Sequence, residues 1–131
     1  MSLLKAFNGH LKEFCADLIL IFPTDISLKA TKFFMFALMK TKPKEIVHIW
    51  KEHIIGPYSE QIKRGDFRFF QEKNYADDVG ESADGSHIEL LESIAKIQQK
   101  VLIMSPENKT KSMKYVQNLT KLCNLYFMDN S

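Results

Sequence analysis

The side chains in this sequence that could bind a metal or move a proton are four histidines, His10, His48, His53 and His87, and two cysteines, Cys15 and Cys123. To these it adds an acidic run of Asp77, Asp78, Glu81 and Asp84. A zinc site on one helix needs two imidazoles four residues apart, so that both leave the same face. His48 and His53 are five apart and turn to different faces, and no cysteine lies near either. A calcium loop of the EF-hand kind needs oxygen ligands at alternate positions, a glycine at the sixth and a glutamate at the twelfth. With Gly85 as the sixth, the first position is Gly80 and the twelfth is Leu91. That pattern fails, and the run reads as a solvated acidic loop leading into a helix start carrying Glu89 and Glu92.

Nucleophilic chemistry finds no better footing. No serine, threonine or cysteine sits in the strained-turn pattern of a nucleophile elbow, although a Ser–His–acid triad needs only to meet in space. The five glycines lack the spacing of a phosphate-cradling loop. Asn108-Lys-Thr110 and Asn118-Leu-Thr120 match the glycosylation sequon, yet both fall on a helix and read as chance matches. The expectation is a non-enzymatic protein with no catalytic residue, no cofactor and no metal.

The surrounding elements are helical. Apolar residues return at three- or four-residue steps, and no segment alternates as a half-buried strand would. Leu4, Phe7, Leu11, Phe14, Leu18 and Phe22 mark one face of a first helix, ended by Pro23. Asp25 caps a second helix whose centre, "KFFMFALMK", is apolar around nearly its whole circumference, which predicts burial on most sides. Pro43 suits the first turn of a third helix carrying Ile46, Trp50 and Ile54. Gly56-Pro57 is expected to break that run before a short fourth helix that stops at Gly65.

Arg64-Gly65-Asp66 is the tripeptide that cell-surface receptors bind, but here it reads as a helix junction. Gly65 supplies the left-handed terminator and Asp66 caps the next short helix, with Phe67 and Phe70 turned to the core and Phe69 left for a neighbour or solvent. Residues 74–86 form the expected mobile acidic loop. Ser86 and Glu89 then make a capping box, and Ser105-Pro106 opens the last helix of a C-terminal hairpin. An all-α, compact bundle of five to seven helices in a single domain over residues 1–131 follows.

Length and composition support a self-sufficient core: 131 residues, 45% hydrophobic, with ten phenylalanines and six methionines. The net charge of +2 argues for no particular partner. Two cysteines near opposite ends read as free thiols in a reducing compartment. Lys5, His10, Lys12 and Glu13 interrupt the first apolar run, so no secretory leader is expected, and no apolar stretch approaches the ~20 residues that span a bilayer. An intracellular, non-membrane protein is expected.

Three blocks carry a resemblance: "LLKAFNGHLKEFCADLILIFP" from Leu3 to Pro23, "PYSEQIKRGDFRFFQEKNYADDV" from Pro57 to Val79, and "ENKTKSMKYVQNLTKLCNLY" from Glu107 to Tyr126. They resemble short, largely uncharacterised helical proteins of the large nucleocytoplasmic DNA viruses of eukaryotes, which replicate in cytoplasmic factories. The resemblance covers roughly half the chain. It implies a viral, intracellular setting (host cytoplasm or virion) and supplies no activity or site residues.

Two functional readings remain. The leading one is action through protein–protein contacts, as a viral structural or assembly component or on a host factor, with self-association as its simplest form. Its motive is the aromatic excess: Met35 and Phe36, opposite Phe33 and Phe34 on the second helix, would join Phe69 and Tyr75 in an exposed apolar patch. The alternative is a nucleic-acid-associated protein using Lys40, Lys42 and Lys44 with Lys109, Lys111, Lys114 and Lys121, if the fold brings those faces together. Only two residues are arginine, the side chain best suited to bidentate base or phosphate reading, which weighs against it.

Overall fold

The computed structural model describes residues 2–71 and 85–130. Ser2 starts the first helix, α1 (Leu3–Ile21), its hydroxyl accepting from the Lys5 N–H at 3.3 Å. Phe7, Leu11, Phe14 and Leu18 fall on one stripe and are buried, as the period requires. Pro23 has no N–H to continue the ladder, and the chain turns at 22–25. Asp25 then caps α2 (Ile26–Thr41), accepting from the Leu28 N–H at 3.0 Å, and pairs with Lys100.

The next elements are α3 (Glu45–Ile49), a π-helical stretch (Trp50–Ile55) and α4 (Gly56–Arg64). They run on without a gap, so Gly56-Pro57 does not break the helix as expected. A proline inside an α-helix collides with the carbonyl four residues earlier. Here the turns before it are widened: the Gly56 N–H reaches the Lys51 carbonyl, the five-residue step of a π-helix. Pro57 becomes the first-turn proline of α4, and Trp50, Ile54 and Ile55 still reach the core. Pro43 lies two residues ahead of α3, its carbonyl accepting from the Asn8 side chain at 3.1 Å.

Gly65 ends α4 at φ +67°, the left-handed region that glycine enters without steric cost. A 3-10 turn, Phe67–Gln71, follows. It buries Phe69 and Phe70 at 1% exposure each and leaves Phe67 at 38%, so the expected pairing of Phe67 with Phe70 is corrected. Adjacent residues in a tight turn both reach inward when the turn itself is sunk between α4 and α5. The Gln98 amide of α5 fixes it there, donating to the Phe69 carbonyl at 2.9 Å.

The last two helices are α5 (Gly85–Leu102) and α6 (Pro106–Asp129). Ser105 caps α6 by accepting from the Asn108 N–H, and the short link at 103–105 makes α5 and α6 the C-terminal hairpin. Most of the expected acidic loop at 74–86 lies outside the described residues; Gly85 and Ser86 belong to α5. The Ser86 hydroxyl, expected in a capping box, donates to Glu45 at 2.9 Å, so α5 is tied to α3.

Among the described residues the fold is all-α. α1 is its axis, with α6 antiparallel on one side and α2 antiparallel on the other. Buried side chains from all six α-helices, the π stretch and the 3-10 turn form one contiguous cluster. Phe7 packs edge-on against Trp50 at 6.0 Å, and the Trp50 indole donates to Thr120 of α6 at 3.1 Å. No helix among the described residues is long and apolar enough to cross a membrane.

Candidate functional site

The burial of α2 determines the site. Its buried residues are Leu28, Thr31, Met35, Leu38 and Met39, a single stripe that carries no charge. The opposite face exposes Ile26 and Phe33 at 81% each. The expectation that α2 is enclosed on most sides is therefore corrected, and so is the orientation of its aromatic run. Met35 is fully buried against α1, its sulfur 4.0 Å from that of Cys15, whereas Phe33 points outward.

A trough of about 630 Å³ runs along the outer seam between α1 and α2. Ile19 of α1 and Phe33, Phe36 and Ala37 of α2 supply its apolar surface. Lys12 lies on the α1 wall; Lys29, Lys32 and Lys40 lie on the α2 side. None of the described residues lining it is acidic. The ammonium groups of Lys12 and Lys32 sit 5.3 and 5.4 Å from the centre of the Phe36 ring. Each such contact is worth ~0.5–1 kcal/mol when exposed. Two like charges drawn to one ring, with no carboxylate in the lining, leave the trough positive and unneutralised.

The proposed contact residues fare unequally. Met35 and Phe69, at 0% and 1% exposure, are core and cannot form a surface. Phe36 is half-buried and lines the trough. Tyr75 lies outside the described residues. Sequence reasoning missed Phe33 and Ile26, but a signal was available. All the lysines inside α2 lie off the stripe of Leu28, Thr31, Met35 and Leu38, and a lysine head group must reach water.

The lysines of the nucleic-acid reading do not gather. Asn8 holds the Pro43 carbonyl, which places Lys42 and Lys44 toward the start of α1. Tyr115 stacks on Phe14 at 4.8 Å and its hydroxyl bonds Asp17, so Lys109 and Lys111 lie toward the end of α1, itself ~28 Å long. Lys40 belongs to the trough, Lys114 is exposed on α6, and Lys121 lines a separate hollow with Lys63.

Two other clusters have the residue types for chemistry. Glu45, nearly buried, accepts from the Ser86 hydroxyl at 2.9 Å and lies 3.0 Å from His87 Nε2; Lys42 stands 3.8 Å from its other oxygen. The hydroxyl and the imidazole meet the same carboxylate oxygen. These contacts tie α3 to α5. The second is the receptor-like tripeptide. The Asp66 carboxylate accepts from the Arg68 backbone and guanidinium, and those hydrogen bonds hold its pKa down to about 2. That aspartate is already engaged in capping its own turn.

Cys15 and Cys123 are free and buried. Burial pushes both thiols up to about 12, with Lys32 and Lys51 respectively pulling the other way. The Cys123 thiol donates to the Val47 carbonyl at 3.3 Å. Among the described residues no three His, Cys, Asp or Glu side chains group so as to hold a metal. His48 packs edge-on against Phe127 at 5.0 Å, and His53 lies 3.6 Å from Glu52. Compared with protein-family models, curated proteins and solved structures, the chain matches none.

Proposed function

We propose that this protein is a non-enzymatic contact module that docks another protein on the α1–α2 trough. One observation carries the reading: Phe33 stands 81% exposed beside an apolar trough, although the same chain buries two adjacent phenylalanines almost completely elsewhere. An exposed aromatic at the centre of a lysine-rimmed apolar surface is the usual make-up of a recognition hot spot. The resemblance to proteins of large DNA viruses supplies a setting, in which the partner is an assembly component or a host factor. Nucleic-acid binding draws less support, because the lysines it needs are dispersed around α1, and of those seven only Lys40 lines the trough beside the exposed Phe33 ring.

Self-association through this face is disfavoured on charge. A two-fold pairing places the same patch against itself, so the four lysines of one copy would meet the same four of the other.

The test is photo-crosslinking in cells with p-benzoylphenylalanine at position 33, and at exposed Glu60 of α4 as the control. The expected result is a discrete protein adduct from position 33 and none from position 60. Adducts equal at both positions, or none from position 33, would remove the reading.

A further inference from the structure

The trough also specifies its occupant. We infer that it takes an acidic amphipathic helix, whose apolar stripe seats on Phe33, Phe36 and Ile19 and whose flanking carboxylates meet the lysines on both walls. This inference rests on the docking reading above and deepens it.

Shape argues first. The apolar residues line a channel between two antiparallel helices, and the lysines stand on both sides of it, Lys12 on α1 and Lys29 and Lys40 on α2. A cylinder with an apolar stripe fits a channel, as in helix-in-groove recognition. Length agrees: Lys29 and Lys40 lie eleven residues apart on α2, a span of ~16 Å, or about three helical turns of a partner.

Charge argues second. The described lining offers four ammonium groups and no carboxylate, so an acidic partner neutralises the trough and a basic one is repelled. Lys12 and Lys32, held over the Phe36 ring, are already turned toward the seat the partner would occupy. Ordering them costs less than ordering free lysines.

The experiment is calorimetric titration of the full chain with a synthetic helix-stabilised peptide of about fourteen residues, apolar at i, i+3, i+4 and i+7 and glutamate on both flanks. A scrambled peptide of the same composition, and phosphatidylcholine vesicles with and without phosphatidylserine, are titrated alongside. Saturable one-to-one binding by the amphipathic peptide alone is expected. Phe33→Ala and the Lys12→Glu/Lys29→Glu double variant are each expected to weaken it at least about tenfold. All three positions are exposed, and matching helical content and urea midpoints show that the variants remain folded. Equal binding by the scrambled peptide overturns the inference, since only charge is then being read. Binding to phosphatidylserine vesicles without binding to the peptide overturns it in favour of a lipid surface. Silence from both peptide and vesicles overturns the acidic helix as occupant, whereas a protein adduct from position 33 would still uphold the wider docking reading.

Discussion

Two phenylalanine-rich segments, 32–40 in α2 and 67–71 in the 3-10 turn, have similar composition and opposite fates. In the turn, Phe69 and Phe70 are covered by α4 and α5, with Tyr58 edge-on to Phe69 at 5.7 Å. In α2 the residues leave the axis at ~100° intervals, so packing on one side of the bundle hides Met35 and leaves Phe33 in water. Aromatic content alone does not say which residues form a core. The placement of an element's neighbours decides it, and among the described residues α2 has them on one side only.

Substitution should separate the two segments clearly. Phe69→Ala is expected to cost ~3–5 kcal/mol in urea unfolding, because it empties a fully enclosed site. A cost below 1 kcal/mol would mean the turn is not held in the core. Gln98→Ala is expected to cost ~1–3 kcal/mol by leaving the buried Phe69 carbonyl without that donor. Gly65→Ala should cost ~1 kcal/mol through its left-handed backbone, since the added Cβ meets Gln117 only at 3.4 Å. Phe33→Ala, by contrast, should stay within ~0.5 kcal/mol of the parent chain. A loss as large as that of Phe69→Ala would show that α2 is covered in solution and erase the distinction.

Alkaline pH probes groups of α1 and α6. Cys15, Cys123 and Tyr115 are each pushed up to about 12, by burial first and, for Tyr115, also by its hydrogen bond to Asp17. The unfolded chain releases these protons at lower pH than the folded one. Their contribution to stability is therefore whole below pH ~9 and is lost as pH rises toward 12. Unfolding midpoints measured from pH 8 to 11 should fall steadily. At pH 8 a thiol reagent should find no reactive cysteine in the folded protein and two after unfolding.

Much of the fold was legible because local chemistry fixes it. Asp25, Gly65 and Ser105 do what their residue types suggest, and the stripe of α1 needs only a period of 3.6. The π-helical passage through Gly56-Pro57 was not legible, because a proline signals a stop unless the preceding turns widen, and tertiary packing of Trp50 and Ile54 supports that widening. The tie from Ser86 to Glu45 was not legible for a related reason: the partner lies 41 residues away. The candidate site was half visible. The sequence showed too many aromatics for a small bundle, but the choice between Phe33 and Met35 as the outward residue depends on where α1 lies. The lysines at 29, 32 and 40 held that information, and weighing them as orientation markers would have exposed Phe33.

The most direct test of the α2 account is a residue-resolved NMR titration of the full chain with the acidic amphipathic peptide. Perturbations are expected at Lys12, Ile19, Lys29, Phe33 and Phe36, with Phe69, Phe70 and the Glu45–His87 cluster unmoved. Shifts spread evenly over lysines on every helix, or centred away from the α1–α2 seam, would contradict the claim that this outward face is the binding surface.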